Sequence, residues 1–262
     1  RDLVRSRGLG DVYKRQLKII RPHYLDETGQ VYYITANPGG GYVGGDSYRI
    51  AVDVADGASI LFTDQSATKV YRTPESFVSQ KIDFHVGAGA VLEYVPDQLI
   101  LYRDADFRQH MTVDLDPEAS AFLSDIVTPG WSPDGGQFRY RQAHLRSEVR
   151  VGGKLALVDN MRIMPERDAE TLHSPTFLGQ NTHFATALCF DPGIDEDLIE
   201  NVRAALAEIE QIEASVTACD VPGFVVRAVG SRTEHLMEAV QTAANIVRST
   251  LRGQGKLHMR QY

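Results

Sequence analysis

Two cysteines, Cys189 and Cys219, are the whole thiol complement of this 262-residue chain, and they stand thirty residues apart with no C-x-x-C pair. A disulfide framework is not indicated, and a reduced, cytoplasmic protein is expected. Tryptophan occurs once, as Trp131. No apolar run approaches the roughly 18 residues a membrane-spanning helix needs, so no membrane partner is expected. Neither H-E-x-x-H nor H-x-x-E-H occurs, and the eight histidines are scattered along the chain. Basic residues number 27 against 35 acidic ones, a formal charge of -8 that disfavours non-specific nucleic-acid binding. A hydrophobic content of 43% is enough to bury a substantial core.

Residues 1–16 are set apart. Ser6 to Gln16 read SRGLGDVYKRQ, and a reverse translation resembles a sequencing adapter in frame, so the segment reads as a non-native cloning or assembly scar. It holds five basic and two acidic residues, which leaves the remainder at -11. No signal-peptide pattern follows it. Residues 17–262 read as a single domain.

The middle of the chain repeats itself. RIAVDVADGASILF (49–62) and KIDFHVGAGAVLEY (81–94) align at a shift of 32, bringing Ile50 onto Ile82, Val52 onto Phe84, Val54 onto Val86 and Gly57 onto Gly89. A third copy, HMTVDLDPEASAFL, starts at His110, and a looser fourth, EVRVGGKLALVD, at Glu148. Each reads as strand, tight turn, strand. A hairpin of this size cannot bury its own face and must lie on the next, so the expectation is a mainly β, β-helix-like stack over about 30–165. An ordinary β-sandwich of similar hairpins is the alternative.

From about 190 to 255 the period changes to helix, strand, strand, helix. Leu198, Ile199, Val202, Ala205, Leu206 and Ile209 recur at helical spacing. Leu236, Val240, Ala243, Val247 and Leu251 form a second stripe that stops at Gly253. Ser231 followed by Glu234 predicts a capping box at its start. EASVTAC and FVVRAVG read as strands around Val221-Pro222-Gly223, with both helices as lids on the sheet.

The stretch ANPGGGYVGGD, Ala36 to Asp46, satisfies G-x-G-x-x-G through Gly39, Gly41 and Gly44, with Gly40 and Gly45 beside them. A dinucleotide site needs a helix directly behind those glycines. Here SYRIAVDV alternates and makes a strand, and no Gly-Lys-Ser/Thr follows. A structural loop between strands remains, with backbone at φ > 0 or in close packing. Asp46 either bonds the loop's own amides or acts as a functional carboxylate. Ser66 and Lys69 spell S-x-x-K, but behind a strand and without Ser-Asp-Asn or Lys-Thr-Gly, so a contact to a neighbouring layer or partner is expected instead.

ANPGGGYVGGD, DQSATKVYRTPE (64–75), LEYVPDQLILYRDADF (92–107) and DIVTPGWSPDGGQF (125–138), in this order and with a late VPGFVVR, resemble the urease accessory protein D family (UreD/UreH) in its Gram-positive and actinobacterial form. The resemblance implies a right-handed β-helix-like core with a few helices and no enzymatic activity. It also implies a complex with urease accessory proteins F and G, the latter a GTPase, that docks on apo-urease. No cofactor stays bound, and nickel passes in transit on its way to the urease active site. Accessory protein F is expected on the helical face.

Metal transit calls for ligands that strip water yet release the ion, for which single carboxylates suit. The residues named for the route are Asp46, Glu93, Asp97 and Asp125, each at a strand or loop end of a shared motif. An acid inside an apolar run is costly unless paired or wet, although alternation leaves the direction of Glu93 and Asp125 open. Trp131, in the rigid loop TPGWSPDGG, either anchors a partner or caps the core, and Lys69 and Tyr71 are named with it as a partner interface. Two other functions stay open: a β-helical carbohydrate-active enzyme with paired carboxylates on a groove, and a free-standing metal-binding module.

Overall fold

The computed structural model describes residues 17–20, 22–24 and 26–257, so the segment 1–16 lies outside the described residues. Two short strands, β1 (Lys18–Ile19) and β2 (His23–Tyr24), run antiparallel to β3 (Val31–Ala36). From β3 the chain winds through β4 (Ser47–Val54), β5 (Ser59–Asp64), β6 (Thr68–Val70), β7 (Val78–Val86), β8 (Val91–Tyr94), β9 (Leu99–Leu101), β10 (Asp106–Leu115), β11 (Ser120–Val127) and β12 (Gln142–Val151). β3, β5, β8 and β11 stack in parallel as one sheet, and β4, β7, β10 and β12 stack in parallel as the other. Tyr42, β6, β9 and Trp131 form a short third side. The result is a β-solenoid of about 3 turns.

The repeat in the sequence is the strand register itself. Ile50, Val52 and Val54 are the direct partners of Ile82, Phe84 and Val86, and Lys81 is the partner of His110, where the third copy starts. The repeated unit is not a hairpin, however. Its two strands belong to different sheets, and each pairs with the next coil instead of with its neighbour across the turn. The turn explains this. Gly57 and Gly89 both adopt left-handed φ (67° and 61°), and the Gly57 amide donates to the Ala88 carbonyl one coil away. The backbone thus turns a corner and leaves its ladder groups to the neighbouring coil. Only the fourth copy is a true hairpin: β12 folds back antiparallel on β13 (Lys154–Ile163), which ends the winding.

β14 (His183–Phe190) pairs antiparallel with β11 and extends the first sheet. After α1 (Glu196–Ala207), the strands β15 (Ile212–Ala218) and β16 (Gly223–Gly230) complete that sheet, and α2 (Thr233–Arg252) closes the described chain. Asp195 caps α1 by accepting the Leu198 amide at 2.9 Å. The capping box at Ser231 does not form. Gly230 is still held by the Thr182 amide, the cap falls on Arg232, and Glu234 therefore sits one position too early. Gly253 ends α2 in the left-handed conformation, as the stripe predicts.

Both helices lie on the outer face of the first sheet. Leu236, Val240 and Val247 of α2 and Leu198 and Val202 of α1 bury against Phe122, Val226 and Phe224. At ~1.5–3 kcal/mol per buried large apolar side chain, this layer is a major stabiliser. The first sheet is therefore covered on both faces, and β11 is buried at every position but Asp125. The second sheet shows water one face, so β7 alternates strictly. Among the described residues, no helix is long and apolar enough to cross a membrane.

Candidate functional site

Two apolar clusters fill the space between the sheets. One holds Val52, Ile82, Phe84, Met111 and Leu123, and the other Tyr42, Val78, Leu101, Phe107 and Val127. Where they meet, the inward positions turn polar. Tyr48, Gln80 and Gln109 are buried and follow one another in register across β4, β7 and β10. From the opposite sheet come Asp64 at the end of β5, Tyr94 of β8 and Asp125 of β11. Gln109 Nε2 donates to Asp125 Oδ1 at 3.3 Å, and the Thr35 hydroxyl donates to Asp64.

The carboxyls of this layer are held close to neutrality. Burial raises Asp64 to about 6, with the charge of Asp97 adding to the rise and the Thr35 hydrogen bond opposing it. Burial raises Asp125 to about 7, with Gln109 opposing and the charges of Asp159 and Asp64 adding. Asp97 is raised by burial as well. The charges of Asp64 and Asp125 also reach Tyr94, and those of Asp64 and Asp46 reach Tyr42. Asp64, Asp97 and Asp125 thus lie close enough in the interior to feel one another's charge through Asp64, with Asp159 beside Asp125, while Asp46 stands apart at the glycine loop. Asp159 Oδ2 accepts from Arg227 Nη1 at 3.1 Å, and that nitrogen also donates to the Thr186 hydroxyl at 2.7 Å. A carboxyl poised near neutral pH exchanges a proton for a cation at little cost, which suits a weak, transient ligand. Among the described residues, no group of three or more His, Cys, Asp or Glu is arranged to hold a metal ion.

Of the four residues named from the sequence, Asp97 and Asp125 fall in this buried group, while Asp46 and Glu93 do not. Asp46 closes the glycine loop, its Oδ2 accepting from the Val43 amide and the Tyr48 hydroxyl, both at 2.9 Å. Glu93 points the other way. It lies under α2 with 1% of its surface exposed, and both its oxygens are taken by Arg248, Arg252 and Gln30. Asp64 and Asp159 escape notice in the sequence. A faint signal exists for Asp64, since Asp64-Gln65 recurs as Asp97-Gln98 one coil later.

The glycine loop leads into β4 with no helix behind it. Gly40 and Gly45 take positive φ. A Cβ on Gly41 would stand 2.7 Å from the Tyr71 ring, and one on Gly44 would stand 2.6 Å from the Ser76 hydroxyl, so the loop packs as bare backbone on the next coil. Gly39 donates to the Asn37 side chain at 3.0 Å. Lys69 serves that neighbouring layer through its carbonyl, which accepts from the Tyr42 amide at 2.8 Å. Ser66 lies in a bend and opens no helix. Trp131 is 49% exposed and does not cap the core. Gly130 sets its position: φ is 82°, and a Cβ there would meet the Leu101 carbonyl at 2.4 Å. Gly130→Ala is expected to cost about 1–3 kcal/mol in urea denaturation. An unchanged midpoint would contradict this account of the loop.

Comparison with known proteins identifies the family of the chain. The profile of the UreD urease accessory protein family matches residues 9–261, and so includes part of the segment 1–16. The urease accessory protein UreD of Actinomyces naeslundii is 40% identical over 259 residues, covering 98% of this chain and 94% of that protein. The UreD of Arthrobacter sp. (strain FB24) is 38% identical over 265 residues, covering 98% and 90%. That of Bacillus cereus is 34% identical over 224 residues, covering 86% and 81%.

Proposed function

The chain belongs to the UreD family of urease accessory proteins, and on that premise we propose that it is a urease maturation factor that docks on apo-urease with accessory proteins F and G and helps deliver nickel to the urease active site. It acts as a scaffold and conduit without bond-making chemistry of its own, and nickel is its cargo. The observation that carries this reading is the buried group of Asp64, Asp97 and Asp125, with Asp64 at about 6 and Asp125 at about 7. Oxygen ligands in ones and twos bind a divalent ion more weakly than a thiolate or imidazole cage, so the ion moves on. Asp46, Asp64, Asp97 and Asp125 are the residues of the proposed route. Glu93 is left out of it, since its oxygens are engaged by arginines.

The test uses the full chain with apo-urease and accessory proteins F and G. Co-elution of the four is expected from wild-type protein. The double variant Asp46→Ala plus Asp125→Ala should co-elute equally well yet lower urease activation by about tenfold or more, the loss typical of outer groups that tune a metal path. Full activation by that variant would remove the route, and failure of the wild-type chain to co-elute would remove the docking.

A further inference from the structure

The third side of the solenoid carries an aromatic strip that the nickel route does not use, with Trp131 exposed and Tyr71 and Tyr102 half-buried. Tyr71, Tyr102 and Trp131 come from three successive coils and meet ring to ring, edge-on in the first pair and tilted in the second, with centroids 5.0 Å and 4.8 Å apart. Val43, 49% exposed, comes from the coil before them, where Tyr42 bridges Val70. At ~4.8 Å per coil the strip runs roughly 15 Å along the solenoid axis. Single exposed apolar residues are ordinary on a monomer, but a contiguous row in register is not.

The strip is rigid. The Trp131 amide donates to the Leu101 carbonyl at 2.9 Å, and its carbonyl accepts from the Arg103 amide at 2.9 Å. Gly41 lets the backbone of the glycine loop press on the Tyr71 ring. Fixed aromatic side chains lose little freedom on binding, which is why they dominate interface energetics.

Charge chooses the occupant. Lys69 and Arg72 stand within two residues of Tyr71 in the chain, and Arg103 directly follows Tyr102. The two arginines share one carboxylate, Asp104, at 2.9 Å and 3.9 Å. Among the described residues Lys69 forms no ion pair within 4.0 Å. Counted together, Lys69, Arg72, Arg103 and Asp104 carry a formal +2, in a chain of formal charge -8. Nucleic acid fits poorly, because two of the three cations are already paired with Asp104 and a phosphate backbone needs a longer run of free ones. An anionic membrane is held by clusters of about 4–8 basic residues, more than stand here.

We infer that the Val43–Tyr71–Tyr102–Trp131 strip is a docking surface for an acidic segment of a partner protein, with the rings as anchors and Lys69, Arg72 and Arg103 as the charged rim. The inference rests on the reading that the chain works in a complex with apo-urease and accessory proteins F and G.

The experiment measures the affinity of the full chain for each of those three proteins at low and at high salt. Trp131→Ala with Tyr102→Ala should weaken binding to one of them by ~20-fold or more, as for buried interface anchors. Arg72→Glu with Arg103→Glu should weaken binding to the same protein, and the difference from wild type should shrink at high salt. Leu155→Ala with Val158→Ala, an exposed apolar pair on β13, should leave binding unchanged. Circular dichroism and the thermal midpoint show whether each variant is folded, and the single variant Trp131→Ala, altered only at the surface, serves if the double one is not. Binding that ignores both strip variants overturns this inference alone. So does a wild-type chain that self-associates through the strip while the complex survives its mutation. No complex with any of the three proteins overturns the reading beneath it and this inference together.

Discussion

Replacing Glu93 by glutamine is expected to remove about a fifth or more of the folding free energy. Glu93 Oε2 accepts from Arg248 and, at 2.9 Å, from Gln30 Nε2, while Oε1 accepts from Arg252 Nη2 at 2.9 Å. Arg248 is only 3% exposed at its side chain, and it further donates to the Gly255 carbonyl at 3.0 Å and to Gln30 Oε1 at 2.9 Å. Arg252 also reaches Ser120 at 2.9 Å and Asp191 at 3.4 Å. The network ties the C-terminal turn of α2 to β8 and β11. Removing one partner of a buried pair leaves an uncompensated charge and costs about 3–5 kcal/mol, against a total stability of about 5–15 kcal/mol. Guanidinium denaturation of Glu93→Gln measures it. A joint change, Glu93→Leu with Arg248→Met, is expected to recover much of the loss, because it removes the buried charges together. A cost below about 1 kcal/mol for Glu93→Gln would mean that the clamp is not formed in solution.

Asp64→Asn with Asp125→Asn is expected to act in the opposite direction on stability and strongly against function. In the fold these carboxyls keep their protons up to about 6 and about 7, while their ordinary value is 3.8. Between about pH 4 and 7 the folded chain therefore binds more protons than the unfolded one, and stability falls as pH rises. Below that window neither state is ionised and no penalty exists. Above it both are ionised and the penalty is complete. Asparagine carries no such penalty, so the variant should melt higher than wild type at pH 8, by about 2–4 °C for each kcal/mol relieved. The gap should close toward pH 4. Urease activation should drop by about tenfold or more in the same protein. Gain of stability with loss of function is the mark of a residue kept for its task. A variant that melts lower than wild type at pH 8 would contradict the assigned environment.

Much of the winding is legible in the chain. The shift that aligns residues 49–62 with 81–94 is the same shift that pairs Arg49 with Lys81 and Phe62 with Tyr94 in the two sheets. A solenoid writes its register into its sequence, because each coil meets the next at a nearly constant spacing. What alternation cannot reveal is whether two strands around a turn pair with each other. That depends on the corner at Gly57 and Gly89, so the arcs read as hairpins. The helix start failed for a similar reason: Ser231 and Glu234 have the right spacing, but the end of β16 holds the chain one residue too long. The surroundings of the named acids are legible only in part. Asp125 stands out as an acid in an apolar run, Asp46 as the end of the glycine loop and Asp97 by the proline before it. Glu93 has the look of Asp125 and a different fate, because Arg248 and Arg252, more than 150 residues away, claim its oxygens. Asp159 belongs to the hairpin beyond the repeats, and nothing local in KLALVDN sets it apart from a solvated strand residue.

The most direct test of the account is the nickel content of urease matured in the presence of this protein. Wild-type protein and Asp64→Asn with Asp125→Asn are each combined with apo-urease, accessory proteins F and G, GTP, bicarbonate and nickel. The recovered urease is assayed for bound metal, and co-elution confirms equal complex. An interior carboxylate route predicts normal complex formation and urease left largely without nickel by the variant. Urease loaded to the wild-type level by that variant, with its complex intact, would contradict it.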